Sequence, residues 1–196
     1  MNDISKNTFS SLQIDSGLLF YDIQPEGIDT AGEFRKKLKA YLEDGENYLG
    51  ITDGGIDFRA VPEVSVYKRD GEMFHSETGC FIVGWDVKLS VTLMEFSPEI
   101  FKHVLPNAII DGQEANVESV GIGGGGCRSR TPNIVWVGEM SSGGLLVIEL
   151  KNAVNVDGIN FVTKRNTENG FKVGFKAFAD ENSAKPPFTI YWFGGE

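Results

Sequence analysis

The chain has 196 residues, of which 41% are hydrophobic and 23% charged, and 28 acidic against 18 basic side chains give a formal charge of −10. This composition excludes a collagen-like or wholly disordered chain and indicates a globular fold that needs neither disulfides nor metal. The acidic excess disfavours specific nucleic-acid binding, because duplex binding depends on basic groups that displace counterions.

Residues 1–45 are predicted to form an N-terminal arm with one helix, and an apolar patch at residues 17–21 allows a strand before it. Thr30 and Glu33 have the spacing of a capping box, in which each side chain satisfies an unpaired backbone N–H. Gly45 is a typical helix stop. Apolar residues at helical spacing lie between cap and stop, namely Phe34, Leu38, Tyr41 and Leu42.

A two-residue period replaces the helical spacing from residue 47 onward. Residues 47–51 and 56–68 flank the sequence Thr52-Asp53-Gly54-Gly55. Asp-Gly is a strong hairpin signal because type I′ turns need positive φ. The sequence therefore predicts a β-hairpin that turns within residues 52–55.

Residues 81–94 alternate between apolar and mostly polar side chains over their whole length. The segment would span about 45 Å at about 3.3 Å per residue, which is long for a strand and predicts a large sheet or barrel. The apolar set, predicted to face the core, is Phe81, Val83, Trp85, Val87, Leu89, Val91 and Leu93.

A short helix interrupts the β pattern after this strand. Ser97 is a typical N-cap, Pro98 suits the first helical position and Pro106 prevents continuation. Further strands are predicted at residues 145–151, 159–165, 171–178 and 188–193, with short connections that favour antiparallel pairing. The predicted fold is mainly β: an antiparallel sandwich or barrel over residues 46–196 with one or two flanking short helices.

The glycine-rich segment at residues 121–126 satisfies the G-x-G-x-x-G pattern. That pattern binds a dinucleotide only where a helix begins at its end, so that the helix N-terminus meets the pyrophosphate. Here Pro132 and a polar stretch follow, which predicts a loop and no cofactor.

No catalytic or metal-binding spacing occurs in the chain. His75 and His103 are far apart, and Cys80 and Cys127 lack the paired spacing of a zinc site. A carboxylate pair for glycoside hydrolysis stays open on sequence alone. The sequence predicts a protein that is not an enzyme and binds no cofactor or metal.

Cysteine usage and hydropathy indicate the compartment. Two cysteines are too few for a disulfide framework and fit a reducing environment. No apolar run approaches the roughly 20 residues that span a bilayer, and the N-terminus lacks the apolar stretch of a signal peptide. We expect no membrane association.

The order of these features resembles that of the tail tube (major tail) proteins of long-tailed bacteriophages and related prophage elements. The likeness covers about residues 46–193. Its most specific parts are the sequence LGITDGG at residues 49–55 and the junction of the long strand with the SPE helix start at residues 97–99. A closing strand at residues 187–192 follows a proline-containing loop.

The resemblance implies a structural virion protein. Its copies would form hexameric rings that stack into a hollow tube, through which DNA passes during ejection. Implied partners are further copies of the chain and the tail-tip, tail-terminator and tape-measure proteins. The implied location is the phage tail, with the host cytoplasm before assembly.

Two sets of residues are predicted to serve the tube. The polar side chains of the hairpin and the long strand would face the lumen, where an acidic lining would not hold DNA: Asp57, Glu63, Asp86, Lys88, Ser90 and Thr92. The glycine-rich loop would contact the next ring: Gly123, Gly124, Gly125, Gly126, Arg128 and Arg130.

A carbohydrate-binding β-sandwich module is the alternative function. Such modules use exposed aromatic rings as sugar platforms, and the chain offers Trp85, Trp136 and Trp192. Trp85 lies on the apolar side of its strand, which predicts that it belongs to the core instead.

Overall fold

The computed structural model describes residues 16–45, 47–67, 79–114, 117–124, 133–161, 163, 170–180 and 186–195. Within these ranges the chain forms the helices α1 (Ala31–Asp44) and α2 (Pro98–Val104). The strands are β1 (Leu18–Tyr21), β2 (Tyr48–Val66), β3 (Cys80–Leu93), β4 (Ala108–Glu114), β5 (Val117–Ile122), β6 (Ile134–Glu139), β7 (Leu145–Leu150), β8 (Ala153–Asn155), β9 (Asn160–Phe161), β10 (Phe171–Ala177) and β11 (Phe188–Phe193). The predicted mainly β fold with flanking helices is confirmed.

Most strands belong to one antiparallel sheet that folds into two facing layers. Its strand order is β11-β7-β6-β1-β2-β3-β10-β8, with β9 beside β10. The first layer contains β11, β7, β6, β1 and the start of β2, and the second contains the rest of β2 with β3, β10, β8 and β9. Strands β4 and β5 form a separate pair.

Strand β2 belongs to both layers, which corrects the hairpin predicted at residues 52–55. Its first residues pair with β1 and the remainder pairs with β3. Gly54 and Gly55, at φ of 70° and 80°, are extra residues in the register between Asp53 and Ile56. The positive φ that glycine permits therefore makes a bulge that bends one continuous strand from one layer into the other.

The main core lies between the two layers, and Ile100 and Val104 of α2 pack against it. Burial of these side chains removes apolar surface from water, which is the dominant favourable contribution to folding. Fully buried members from both layers are Leu19, Trp136, Leu150, Val87, Leu89, Leu93, Phe171 and Val173.

Helix α1 covers the outer surface of the first layer and begins and ends where the sequence predicts. Thr30 Oγ1 accepts a hydrogen bond from the Glu33 N–H at 3.2 Å, and Gly45 ends the helix at a φ of 70°. Phe34 packs on the ring of Phe193 with centroids 5.1 Å apart. Because β1 lies between β2 and β6, the predicted arm contributes both a strand and a helix to the sandwich.

Candidate functional site: an exposed apolar ribbon

Strands β2 and β3 extend beyond the sandwich as a pair of antiparallel strands. In the described chain β1 pairs with β2 as far as Ile51, and β10 pairs with β3 from Lys88 onward. Farther out β2 and β3 pair with each other, as far as Val66 opposite Cys80. We call residues 61–67 and 80–85 the ribbon.

Apolar side chains of the ribbon are exposed to solvent. Val87, Leu89 and Leu93 are buried as predicted, but Trp85, predicted to belong to the core, is 50% exposed. The alternating sequence pattern determines the face of the strand to which each side chain points. Burial also requires an opposing layer, and no described element packs over this part of β3. The exposed apolar residues, 40–69% accessible, are Val61, Val64, Val66, Tyr67, Phe81, Ile82, Val83 and Trp85.

A bulge at Val83 distributes these side chains over both faces of the ribbon. Glu63 pairs with Gly84 and Val64 pairs with Ile82, so Val83 is an extra residue in β3. The face that continues the core side carries Val64, Val66, Ile82 and Trp85. The opposite face carries Val61, Tyr67 and Phe81.

The exposed apolar area of the ribbon is divided between its two faces. The rings of Tyr67 and Phe81 pack edge to face at 5.3 Å, which leaves their outer surfaces in solvent. Together the exposed side chains present on the order of 700 Å² over the two faces of the ribbon, so each face is comparable to the roughly 300–600 Å² of the largest apolar patch on a typical monomer. The largest apolar patch of a monomer is often a functional surface, and the ribbon carries two such faces.

The polar residues predicted on β2 and β3 lie together on the outer face of the second layer, away from the core. The register of β2 and β3 pairs Asp57 with Ser90 and Val61 with Asp86, and the side chains of paired residues point to the same face. The predicted residues on it are Asp57, Glu63, Asp86, Lys88, Ser90 and Thr92. That this face lines a channel stays a prediction.

Ion pairs on this face neutralise two of its predicted acids. They are Arg59–Asp57 and Lys176–Asp86, both at 2.6 Å, with Lys88–Asp157 beside them at 2.7 Å. The hydrogen bond from Arg59 lowers the pKa of Asp57, and the hydrogen bond to Asp86 raises the pKa of Lys176. The face therefore carries less net negative charge than the sequence indicates.

The glycine-rich segment begins as a strand, which corrects the start of the predicted loop. Gly121 and Ile122 end β5, and the Gly123 N–H donates to the Asn107 carbonyl at 2.9 Å. Gly124 follows outside any strand. The other residues predicted to contact a neighbouring ring lie outside the described residues: Gly125, Gly126, Arg128 and Arg130.

A second apolar surface lies beside α2, at the far end of β3 from the ribbon. Three rings line it, and they pack on the buried ring of Phe171 with centroids 5.2–5.7 Å apart: Phe96, Phe101 and Phe161. The cavity has a volume of about 510 Å³, and the described residues that line it carry no charge. Ile122 stands at its rim and is 71% exposed. We call this surface the aromatic groove.

The three tryptophans have different environments. Trp136 is fully buried, whereas Trp85 and Trp192 are exposed. Four strands separate β3 from β11 in the sheet order, so the two exposed rings belong to different parts of the sheet. A sugar platform built on either ring stays a prediction.

Two described residues of kinds used in catalysis, His103 and Tyr48, make contacts with neighbouring side chains. His103 is half-buried and stacks on Tyr21 with centroids 3.8 Å apart, and burial lowers its pKa. Burial, together with the hydrogen bond to Glu95, raises the pKa of Tyr48. His75 and Cys127 lie outside the described residues, and Cys80 is an exposed thiol.

The described ranges offer neither a cluster of metal ligands nor a helix that could cross a bilayer. They contain no group of three or more His, Cys, Asp or Glu side chains that could hold a metal ion. None of their helices has the length and hydropathy to cross a bilayer.

Comparison of the chain with protein-family models and with curated proteins finds no match. Function is therefore inferred from the surfaces described above and from the sequence features that accompany them.

Proposed function

We propose that the protein is a structural subunit whose copies form hexameric rings that stack into the tail tube of a long-tailed bacteriophage or a related prophage element. The observation that carries this proposal is the ribbon, which exposes apolar side chains on both faces. Neighbouring subunits in an assembly would cover both of these apolar faces.

The segments that resemble tail tube proteins lie within β2 and directly after β3. Residues 49–55 form the part of β2 that passes between the layers. The long strand β3 ends just before α2, where Ser97 accepts a hydrogen bond from the Ile100 N–H. Their location supports the proposal, because β2 and β3 are also the strands that form the ribbon.

The proposal gives roles to the remaining surfaces. The outer face of the second layer would line the lumen, and the segment that begins at Gly123 would contact the next ring. DNA would pass without sequence-specific binding, and the tail-tip, tail-terminator and tape-measure proteins would complete the tail. The subunit would occupy the host cytoplasm before assembly.

Charged substitutions on the ribbon test whether it drives assembly. In the double variant Ile82→Glu, Trp85→Glu, the carboxylates would have to lose their hydration on docking, so we expect the subunit to stay monomeric. Sedimentation velocity over a concentration series measures this, and circular dichroism checks the fold. Leu42→Glu on α1, where Leu42 is 43% exposed, is the matched control and should assemble like the wild type. Normal assembly of the double variant would contradict the proposal.

Charge reversal on the outer face of the second layer tests the proposed lumen. Replacing Asp57, Glu63 and Asp86 with lysine also leaves Arg59 and Lys176 without their ion-pair partners. The lining would become basic, and we expect assembled tubes to retain short duplex DNA at low salt and to release it at high salt. Tubes of normal shape that still release DNA at low salt would show that this face does not line the channel.

A further inference from the structure

We infer that three basic side chains on the outer face of the second layer form a row that can bind a polyanion, and that three aspartates keep this row neutral in the native protein. The row consists of Arg59, Lys88 and Lys176, and we call it the basic row. The inference deepens the proposed function and rests on it, since DNA is the polyanion that would pass this face.

The basic row runs straight across three neighbouring strands. Arg59 on β2 pairs with Lys88 on β3, and Lys88 pairs with Lys176 on β10. Directly paired residues point to the same face with their Cβ atoms about 4.5–5.5 Å apart, so the Cβ atoms of the row span about 9–11 Å. Like charges directly opposite each other destabilise a sheet, so this arrangement is unfavourable unless other groups neutralise it.

Each cation of the basic row lies within ion-pair distance of a carboxylate of its own. The three pairs are Arg59–Asp57 at 2.6 Å, Lys88–Asp157 at 2.7 Å and Lys176–Asp86 at 2.6 Å. All six side chains are between 33% and 68% exposed, so water and dissolved ions can reach them. Exposed ion pairs stabilise a fold only weakly, so these pairs matter more for the charge that the face presents than for folding.

The pair between Lys88 and Asp157 depends on a specific local structure. Asp157 lies in the turn after β8, where its backbone N–H donates a hydrogen bond to the Asn155 side chain at 3.1 Å. Strand β10 lies between β8 and β3, so the carboxylate reaches Lys88 across β10. It passes over Gly174, where a Cβ atom would clash with the Asp157 carboxylate and with Lys88 Cε. The lack of a side chain at this glycine therefore allows the third aspartate to neutralise the row.

Without its aspartates, the basic row has the chemistry that binds phosphate groups. Lysine and arginine side chains bind nucleic acid largely by displacing counterions from the phosphate backbone, and this contribution does not depend on base sequence. A neutral row would let DNA pass, whereas an uncovered row would retain it. The aspartates on this face would therefore act on three particular cations and not only through the net charge of the chain.

Neutral substitutions of the three aspartates test the inference on the soluble full-length subunit. The variant Asp57→Asn, Asp86→Asn, Asp157→Asn removes the charges and nearly preserves the side-chain size. We expect it, unlike the wild type, to bind a labelled short DNA duplex at low salt, as measured by fluorescence anisotropy at concentrations where the protein is monomeric. Three phosphate contacts at about −0.9 each predict a slope of about −2.7 for log affinity against log salt concentration, so a fourfold rise in salt should weaken binding about 40-fold.

Two compensated variants separate the basic row from the net charge of the chain. Both carry the three asparagines and replace three basic residues with glutamine, so their formal charge equals that of the wild type. The first removes the row with Arg59→Gln, Lys88→Gln and Lys176→Gln. The second removes exposed lysines elsewhere with Lys36→Gln, Lys39→Gln and Lys102→Gln. Only the second should bind the duplex.

The outcomes separate this inference from the proposed function. Binding by the second compensated variant and not by the first supports the basic row, whereas equal binding by both, or no binding by the triple asparagine variant, would overturn it. If circular dichroism shows that a multiple variant is unfolded, Asp57→Asn decides on one pair: a slope of about −0.9 supports the inference and a slope near zero overturns it. None of these measurements requires assembly, so a wild-type chain that stays monomeric in sedimentation would overturn the proposed function separately.

Discussion

Replacing Leu89 with alanine is expected to lower the free energy of unfolding by about 2–5 kcal/mol, because a cavity would remain in the main core. Leu89 is fully buried, and its register partners are Phe58 on β2 and Phe175 on β10. The close packing of the two layers limits how far neighbouring side chains can move into the space. Urea unfolding followed by circular dichroism, at concentrations where the protein is monomeric, measures the change.

Ser90 provides the matched control on the same strand. It follows Leu89 directly and points to the outer face, opposite Asp57 and Gly174. Ser90→Ala should change the free energy of unfolding by less than about 0.5 kcal/mol, as is usual for surface substitutions. Equal losses in the two variants would contradict the assignment of one buried and one solvated face to β3.

Replacing Thr52 with valine is expected to cost about 1–3 kcal/mol of unfolding free energy, because the change leaves buried donors unpaired. The hydroxyl of Thr52 accepts hydrogen bonds from the Gly17 N–H at 3.0 Å and from Trp136 Nε1–H at 3.2 Å. It also donates to the Gly17 carbonyl at 3.1 Å. Thr52 is fully buried next to the bulge where β2 passes between the layers, so water cannot replace the lost partner.

Thr52→Ser distinguishes the contribution of the hydroxyl to stability from that of the methyl group. Serine keeps the hydrogen bonds and loses one methyl, so its loss of unfolding free energy should be the smaller of the two. Chemical denaturation of both variants under identical conditions gives the comparison. A valine variant as stable as the wild type would show that these hydrogen bonds do not stabilise the crossing of β2.

Local patterns in the sequence predict those features that depend on neighbouring residues. The alternation over residues 81–94 corresponds to β3, and the caps Thr30 and Ser97 mark the starts of both helices. Each of these signals arises within one strand or one helical turn. They can therefore be recognised in the sequence without knowledge of the tertiary structure.

Features that depend on long-range contacts differ from the prediction. Asp53-Gly54 favours positive φ, but a hairpin turn and a bulge both satisfy that preference, and pairing with β1 and β3 decides between them. The burial of Trp85 likewise depends on whether the opposing layer extends that far. The insertion of residues 18–21 between β2 and β6 joins segments more than a hundred residues apart in sequence, from Leu18 to Val137.

At the candidate surfaces, too, local features can be predicted from the sequence and long-range contacts cannot. Alternation predicts that Asp86 and Lys88 share the outer face of β3, and the structure has them there. Their ion-pair partners, Lys176 and Asp157, come from β10 and the segment after β8, so the sequence alone cannot pair them. The aromatic groove combines residues from α2, β5 and β9, which only the tertiary fold brings together.

Negative-stain electron microscopy of the concentrated wild-type protein tests the central claim most directly, namely that this chain is an assembling subunit. We expect rings with sixfold symmetry at moderate concentration and hollow tubes of uniform diameter at high concentration. The Ile82→Glu, Trp85→Glu variant, imaged under the same conditions, should show neither. Small monodisperse particles of the wild type at every concentration would contradict the account.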